Sequence, residues 1–115
     1  MLRIYLAGPM SGIADYNYPA FNAEAARLRA LGHHVENPAE NTAPPCNSWA
    51  GYMRIALRQM LTCDAVALLP GFAESRGATI EHDLAKQLGM RVLLSTLIRG
   101  SGATDEQTLT ATHVP

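Results

Sequence analysis

Between Asp64 and Pro70-Gly71 the chain reads Ala65-Val66-Ala67-Leu68-Leu69, an apolar run with no polar residue at alternate positions. A strand with one wet face alternates; a strand covered on both faces by helices does not. The run is too short for a helix and closes on a Pro-Gly turn signal. It predicts a central strand of a parallel sheet, and parallel neighbours need helical crossovers.

The flanking segments supply those parts. Residues 2–7 form a second short apolar run, ended by Gly8-Pro9. Residues 15–19 are polar and aromatic and predict a loop. From Ala20 onward Phe21, Ala25, Leu28 and Leu31 share a helical face, with Gly32 as the stop. Residues 34–37 predict a strand, halted by Pro38, and residues 38–47 predict a loop lying over a site or an edge. Ser48 is an N-cap candidate for a helix whose face carries Trp49, Met53, Ala56, Leu57, Met60 and Leu61. A third helix starts at Ser75 or Gly77, turns Ile80, Leu84, Ala85 and Leu88 inward, and ends at Gly89. Residues 91–95 give the last strand.

The order β-α-β-α-β-α-β implies an α/β fold: a Rossmann-like (flavodoxin-like) three-layer sandwich on a four- to five-stranded parallel sheet. Ligands of such sheets sit at the carboxyl ends of the strands, where residues 8–19, 38–47 and 71–77 converge. The domain is expected over residues 1–97. Residues 98–115 are small, polar and unpatterned and are expected to form a flexible C-terminal tail.

At 115 residues there is room for one domain with a core of its own. Nine basic and ten acidic side chains leave a formal net charge of −1, which excludes the basic field of a protein that coats nucleic-acid polymers. A helix start can still bind one small anion by local geometry. No run reaches the ~18 apolar residues of a membrane span, and the start of the chain does not read as a signal peptide. Cys46 and Cys63 form no CxxC pair and are expected to be reduced thiols in a cytoplasmic protein. His33, His34, His82 and His113 lack metal-ligand spacing, so no metal and no cofactor is expected. There is no Gly-x-Ser-x-Gly elbow.

Two segments carry candidate chemistry. Gly8-Pro9-Met10-Ser11-Gly12 follows the first strand and reads either as a Gly-Pro turn or as a loop whose backbone approaches a ligand. It is neither a dinucleotide fingerprint nor a Walker loop. Ser75-Arg76-Gly77-Ala78-Thr79-Ile80-Glu81 leads from a strand end into a helix, where free amides and the Ser75 hydroxyl suit an anion. Taken alone, Glu81 reads first as a solvated carboxylate on the helix face. A carboxylate beside phosphate donors makes chemical sense where it faces a sugar carbon. Asp64 reads equally as a turn cap or a ligand group. Tyr5 is either core or a hydroxyl aimed at the site. Tyr16, Asn17 and Tyr18 form either a stacking lid or a plain loop, and Trp49 reads as packing.

The run from Ile4 to Met10, the Asp64 strand and the Ser75-Arg76-Gly77…Glu81 segment resemble the nucleoside 2-deoxyribosyltransferase-like superfamily, which includes 2'-deoxynucleoside 5'-phosphate N-hydrolases. The Gly8–Gly12 start, the stretch Tyr16-Asn17-Tyr18-Pro19-Ala20-Phe21-Asn22 and the Ser75–Glu81 segment are similar to the short bacterial and phage proteins of the DUF4406 type. The resemblance covers about residues 2–95. It implies a retaining displacement at C1' of a deoxyribosyl group, with Glu81 as nucleophile and Tyr5 positioning it. A Ser at position 75 implies a 5'-phosphate bound by Ser75, Arg76, Gly77 and the loop Gly8, Pro9, Met10, Ser11 and Gly12, with Asp15 and Asn17 also on the substrate. The implied partner is a small deoxynucleotide, handled by a homodimer or larger homo-oligomer. The superfamily commonly carries an acid eight positions before the Asp of the third strand; here that position is Ala56. Asp15 is the candidate replacement. The alternative is a nucleotide-binding module that senses without catalysis.

Overall fold

The computed structural model describes residues 1–100. In chain order its regular elements are β1 (Arg3–Ala7), α1 (Tyr18–Ala30), β2 (His34–Glu36), α2 (Trp49–Met60), β3 (Ala65–Leu68), α3 (Arg76–Gln87) and β4 (Arg91–Leu94). The four strands form one sheet in the order β2-β1-β3-β4, with every pair parallel. This is the doubly wound α/β arrangement expected from the apolar run at 65–69, with four strands.

The pleat sorts the core into two halves. Ile4, Leu6, Ala65, Ala67 and Leu93 point to one face and pack with Phe21, Ala25 and Leu28 of α1. Tyr5, Ala7, Val66, Leu68 and Val92 point to the other, against Ala56 and Met60 of α2 and Ala85 of α3. Ala65 through Leu69 are all at most 4% exposed, which is why the run tolerates no polar residue.

Local signals set most boundaries. The Ser48 side chain accepts from Gly51 N at 3.0 Å and starts α2; the Ser75 side chain accepts from Ala78 N at 3.1 Å and starts α3. Gly32 and Gly89, beyond α1 and α3, take φ of 101° and 72°. The expected loop at 15–19 is shorter than the sequence suggests. Helix α1 begins at Tyr18, because Pro19 falls in its first turn, where the missing N–H is harmless.

The inward face of α3 differs from the sequence reading. Ile80 and Leu88 are 40% and 55% exposed, and the buried positions are Ala78, Glu81 and Ala85. The two alanines let the helix approach the sheet, and Glu81 is admitted because it finds a polar partner there. Leu61, the residue that ends α2, is likewise exposed.

Past β4 the chain stays fastened. Ile98 is buried in the α1-side core, Arg27 donates to the carbonyls of Ser95 and Ile98 at 2.8 and 3.2 Å, and the His33 ring meets the Arg99 carbonyl at 2.8 Å. Packing thus continues past residue 97, while the expected tail from 101 onward lies outside the described residues. No helix among the described residues is long and apolar enough to cross a membrane.

Candidate functional site

At the carboxyl edge of the sheet lies a cavity of about 740 Å³, within the roughly 300–1,000 Å³ usual for small-molecule sites. It exists because β1 and β3 end side by side, and the chain leaves them towards opposite faces. Tyr5 from β1 and Glu81 from α3 meet in its wall. Gly8, Pro9, Met10 and Ser11 contribute one side; Ser75, Arg76, Gly77 and Ala78 contribute the start of α3. Pro38, Asn41 and Asn47 bring in the loop after β2, as the convergence of loops predicts.

Glu81 is not a solvated face residue. It is 5% exposed, and Tyr5, 1% exposed, donates its hydroxyl to Glu81 Oε2 at 2.5 Å. Burial raises the carboxyl pKa from 4.5 to about 7, although the Tyr5 hydrogen bond pulls it down. Burial, reinforced by the neighbouring Glu81 charge, pushes the Tyr5 hydroxyl well above its ordinary value, so it remains a neutral donor. The pair is therefore a carboxyl group poised between its two protonation states near neutral pH, held by a phenol that favours the ionised form. Such a group can serve as a nucleophile or as a proton-transfer group.

The start of α3 is the polar end. Ser75 Oγ accepts from Ala78 N, which leaves the hydroxyl hydrogen free to donate. The Arg76 guanidinium lies 3.9 Å above the centre of the Trp49 ring. Glycine serves packing at both loops. A Cβ on Gly8 would meet Leu69 Cβ at 2.9 Å, and one on Gly77 would meet Met53 Sδ at 3.0 Å. These glycines let β1 run past Leu69 and α3 sit on α2.

Several sequence candidates lie apart from the cavity lining. Gly12 and Asp15 are exposed on the outer part of their loop, and Asn17 is turned to brace it, donating from Nδ2 to the Pro9 carbonyl at 2.9 Å. Asp15 is therefore not among the residues that line the cavity. Ala56 does line the cavity. Asp64 is at the opposite, amino end of β3 and outside the cavity lining; its Oδ2 accepts from Arg3 N at 3.1 Å and so fastens the start of β3 to β1. Tyr16 and Ile13 edge the cavity mouth, Tyr16 being 62% exposed.

Residues the sequence reading missed are Asn41, Asn47, Tyr52, Met53 and Glu74, all in the lining, together with Trp49 as more than packing. Asn41 and Asn47 belong to the polar Pro-rich loop whose position followed from topology, so that signal was present. Asn37 supports this loop: buried, it donates to Asn22 Oδ1 at 2.9 Å and accepts from Ala39 N at 3.0 Å. Among the described residues no three His, Cys, Asp or Glu side chains converge as a metal site would require.

A family model described as a domain of unknown function, DUF4406, matches residues 2–94. No curated protein matches the chain. Among solved structures, a 2-deoxyribosyltransferase from the psychrotolerant bacterium Bacillus psychrosaccharolyticus aligns with a TM-score of 0.64 and 24% identity, covering 80% of this chain and 70% of that one. At that identity the likeness establishes a shared fold.

Proposed function

The chain belongs to the DUF4406 family, and from that premise and the cavity's geometry we propose that it cleaves or transfers the N-glycosidic bond of a 2'-deoxynucleoside 5'-monophosphate. The observation that carries this reading is the buried Tyr5–Glu81 pair in the wall of a nucleotide-sized cavity. The ionised Glu81 attacks C1'; the C1'–N bond breaks, and the base leaves with the electron pair and takes up a proton. The resulting sugar ester is opened by water, or by a second base, at C1'. Glu81 is restored, and the sugar phosphate or a new nucleotide is released. A carboxylate displacing at an oxocarbenium-like carbon follows the logic of retaining glycosidases.

Ser75 and Gly77 at the start of α3, facing the Gly8–Ser11 loop, would take the 5'-phosphate. This aligns the substrate with its sugar towards Glu81. The reading relates the protein to the deoxynucleotide N-hydrolases, acting as a cytoplasmic homo-oligomer. It is tested by incubating the protein with each deoxynucleoside monophosphate and following free base by chromatography. Base release that disappears in Glu81→Ala is expected; release no greater than in that variant overturns the proposal.

One observation favours a second reading. Ala56 presents a methyl group to the cavity where an acid would assist the leaving base. Acid assistance typically contributes ~10²–10⁴-fold in rate. A protein that binds deoxynucleotides in a calorimeter without releasing base fits a sensing or sequestering module.

A further inference from the structure

Among the described residues Arg76 is the only cation lining the cavity, and it faces no carboxylate within ion-pair distance, although Glu74 also lines the cavity. Its guanidinium carbon lies over the Trp49 ring instead, 3.9 Å from the ring centre. Stacking engages the flat face of a guanidinium and leaves its in-plane N–H groups free, and that edge is the one that matches two oxygens of a phosphate.

The placement is built from both helices. Trp49 opens α2 directly after its Ser48 cap, and Arg76 opens α3 directly after its Ser75 cap. Gly77 brings the first turn of α3 so close that a Cβ there would stand 3.0 Å from Met53 Sδ and 4.0 Å from Trp49 Cζ2. The first residue of a helix is an unfavourable place for a cation, because the backbone dipole is positive there. The indole offsets this electrostatically through its negative face while leaving the positive charge unneutralised.

We propose that Trp49 is a positioning residue that holds Arg76 as a fixed fork in the cavity wall, and that the pair makes the site select a phosphate monoester over the corresponding free nucleoside. This rests on the reading of the cavity as a deoxynucleotide site. It assigns the selectivity to a residue that touches Arg76, not to the Ser75 hydroxyl alone. A lysine in place of Arg76 would keep the charge but lose both the stack and the fork.

The test measures calorimetric affinities of the four deoxynucleoside monophosphates, the four matching deoxynucleosides and inorganic phosphate. The proteins are the wild type, Trp49→Phe, Trp49→Ala and Arg76→Ala, each checked for folding by circular dichroism. Trp49 is the single tryptophan, so its emission also reports anion binding at Arg76. Arg76→Ala is expected to lower the preference for monophosphate over nucleoside by about tenfold or more. Trp49→Ala should lower it roughly two- to fivefold, and Trp49→Phe should restore it. A merely structural Trp49 would weaken nucleotide and nucleoside alike and leave the preference unchanged, which overturns the proposal. If inorganic phosphate shifts the emission of the wild type but not of Arg76→Ala, while no deoxynucleotide binds more tightly than phosphate, the fork stands and the deoxynucleotide reading fails. If neither phosphate nor any monophosphate binds the wild type, both fall.

Discussion

The Tyr5 hydroxyl donates to Glu81 Oε2 across 2.5 Å, joining the middle of β1 to the second turn of α3 over 76 positions of sequence. Both groups are buried, and this hydrogen bond lowers the Glu81 carboxyl pKa against the rise that burial imposes. The geometry ties local stability and the proposed chemistry to the same proton.

The first consequence concerns pH and rate. Attack requires the carboxylate, so base release in the wild type should rise with pH and level off above about 7, where Glu81 titrates. Removing the hydroxyl in Tyr5→Phe removes the interaction that lowers the carboxyl pKa. A hydrogen bond to a charged group contributes about 1.5–3 kcal/mol, or roughly one to two pKa units. The acid limb of the Tyr5→Phe profile should move up by that amount, so that activity falls at pH 7 and recovers towards pH 9. An unshifted limb in a pH–rate series would contradict the assignment.

Stability should move the opposite way. The folded carboxyl titrates near 7 and the unfolded one near 4.5, so between these values the native state holds more protons than the unfolded one. The stabilising contribution of Glu81 is present below 4.5 and is lost as pH rises through 7. Glu81→Gln cannot ionise and keeps a comparable shape. It should be no more stable than the wild type near pH 4 and more stable by up to about 3 kcal/mol above pH 8. Urea denaturation of the two proteins across that range decides it: parallel stability curves would remove the ionisation from the account.

Why part of this was legible and part was not follows from particular residues. Ala65–Leu69 announces a strand buried on both faces because each of its side chains meets a helix-covered surface. Ser48, Ser75, Gly32 and Gly89 act within a few residues of themselves, so their roles are readable locally. The rotation of α3 is not local. Ile80, Leu84 and Leu88 make the more apolar stripe, yet the helix buries Ala78, Glu81 and Ala85 because the hydroxyl that accommodates Glu81 comes from β1. A resemblance brought Tyr5 and Glu81 together; periodicity alone favoured a wet carboxylate. Asn17 belongs to the Tyr16–Asn22 motif and Asp15, the candidate replacement acid, stands beside it, but three consecutive residues with φ of 53°, 52° and 60° turn that loop so that Asn17 braces Pro9.

The two packing glycines should separate in their effects. In Gly8→Ala the new methyl meets Leu69 Cβ at 2.9 Å, an atom fixed to the backbone beside β3. Relief requires the strands to shift, and overpacking of this kind costs typically ~1–3 kcal/mol. In Gly77→Ala the obstacle is the Met53 sulfur at 3.0 Å, on a flexible side chain that can yield. Thermal denaturation should show a clear loss for Gly8→Ala and a small one for Gly77→Ala. The latter should still bind nucleotide more weakly, because Met53 and Trp49 line the cavity. Equal destabilisation would mean that α3 has no slack against α2.

The sharpest separation of catalyst from binding module is Ala56→Asp. Ala56 is 9% exposed, belongs to the same core cluster as Tyr5 and lines the cavity. An aspartate there enters a poorly solvated wall with Glu81 in the same site. Burial and the like charge both favour its protonated form, so near neutral pH it becomes a proton donor to a leaving base. The same burial should destabilise the fold by about 1–3 kcal/mol. Base release from deoxynucleoside monophosphates should increase by up to about 10²-fold, with affinity little changed, since acid assistance acts on the transition state. If the folded Ala56→Asp protein binds nucleotide as the wild type does and releases base no faster, the missing acid is not what limits the site. If binding tightens without turnover, the cavity is built to hold its ligand, and the Tyr5–Glu81 pair recognises the sugar rather than attacking it.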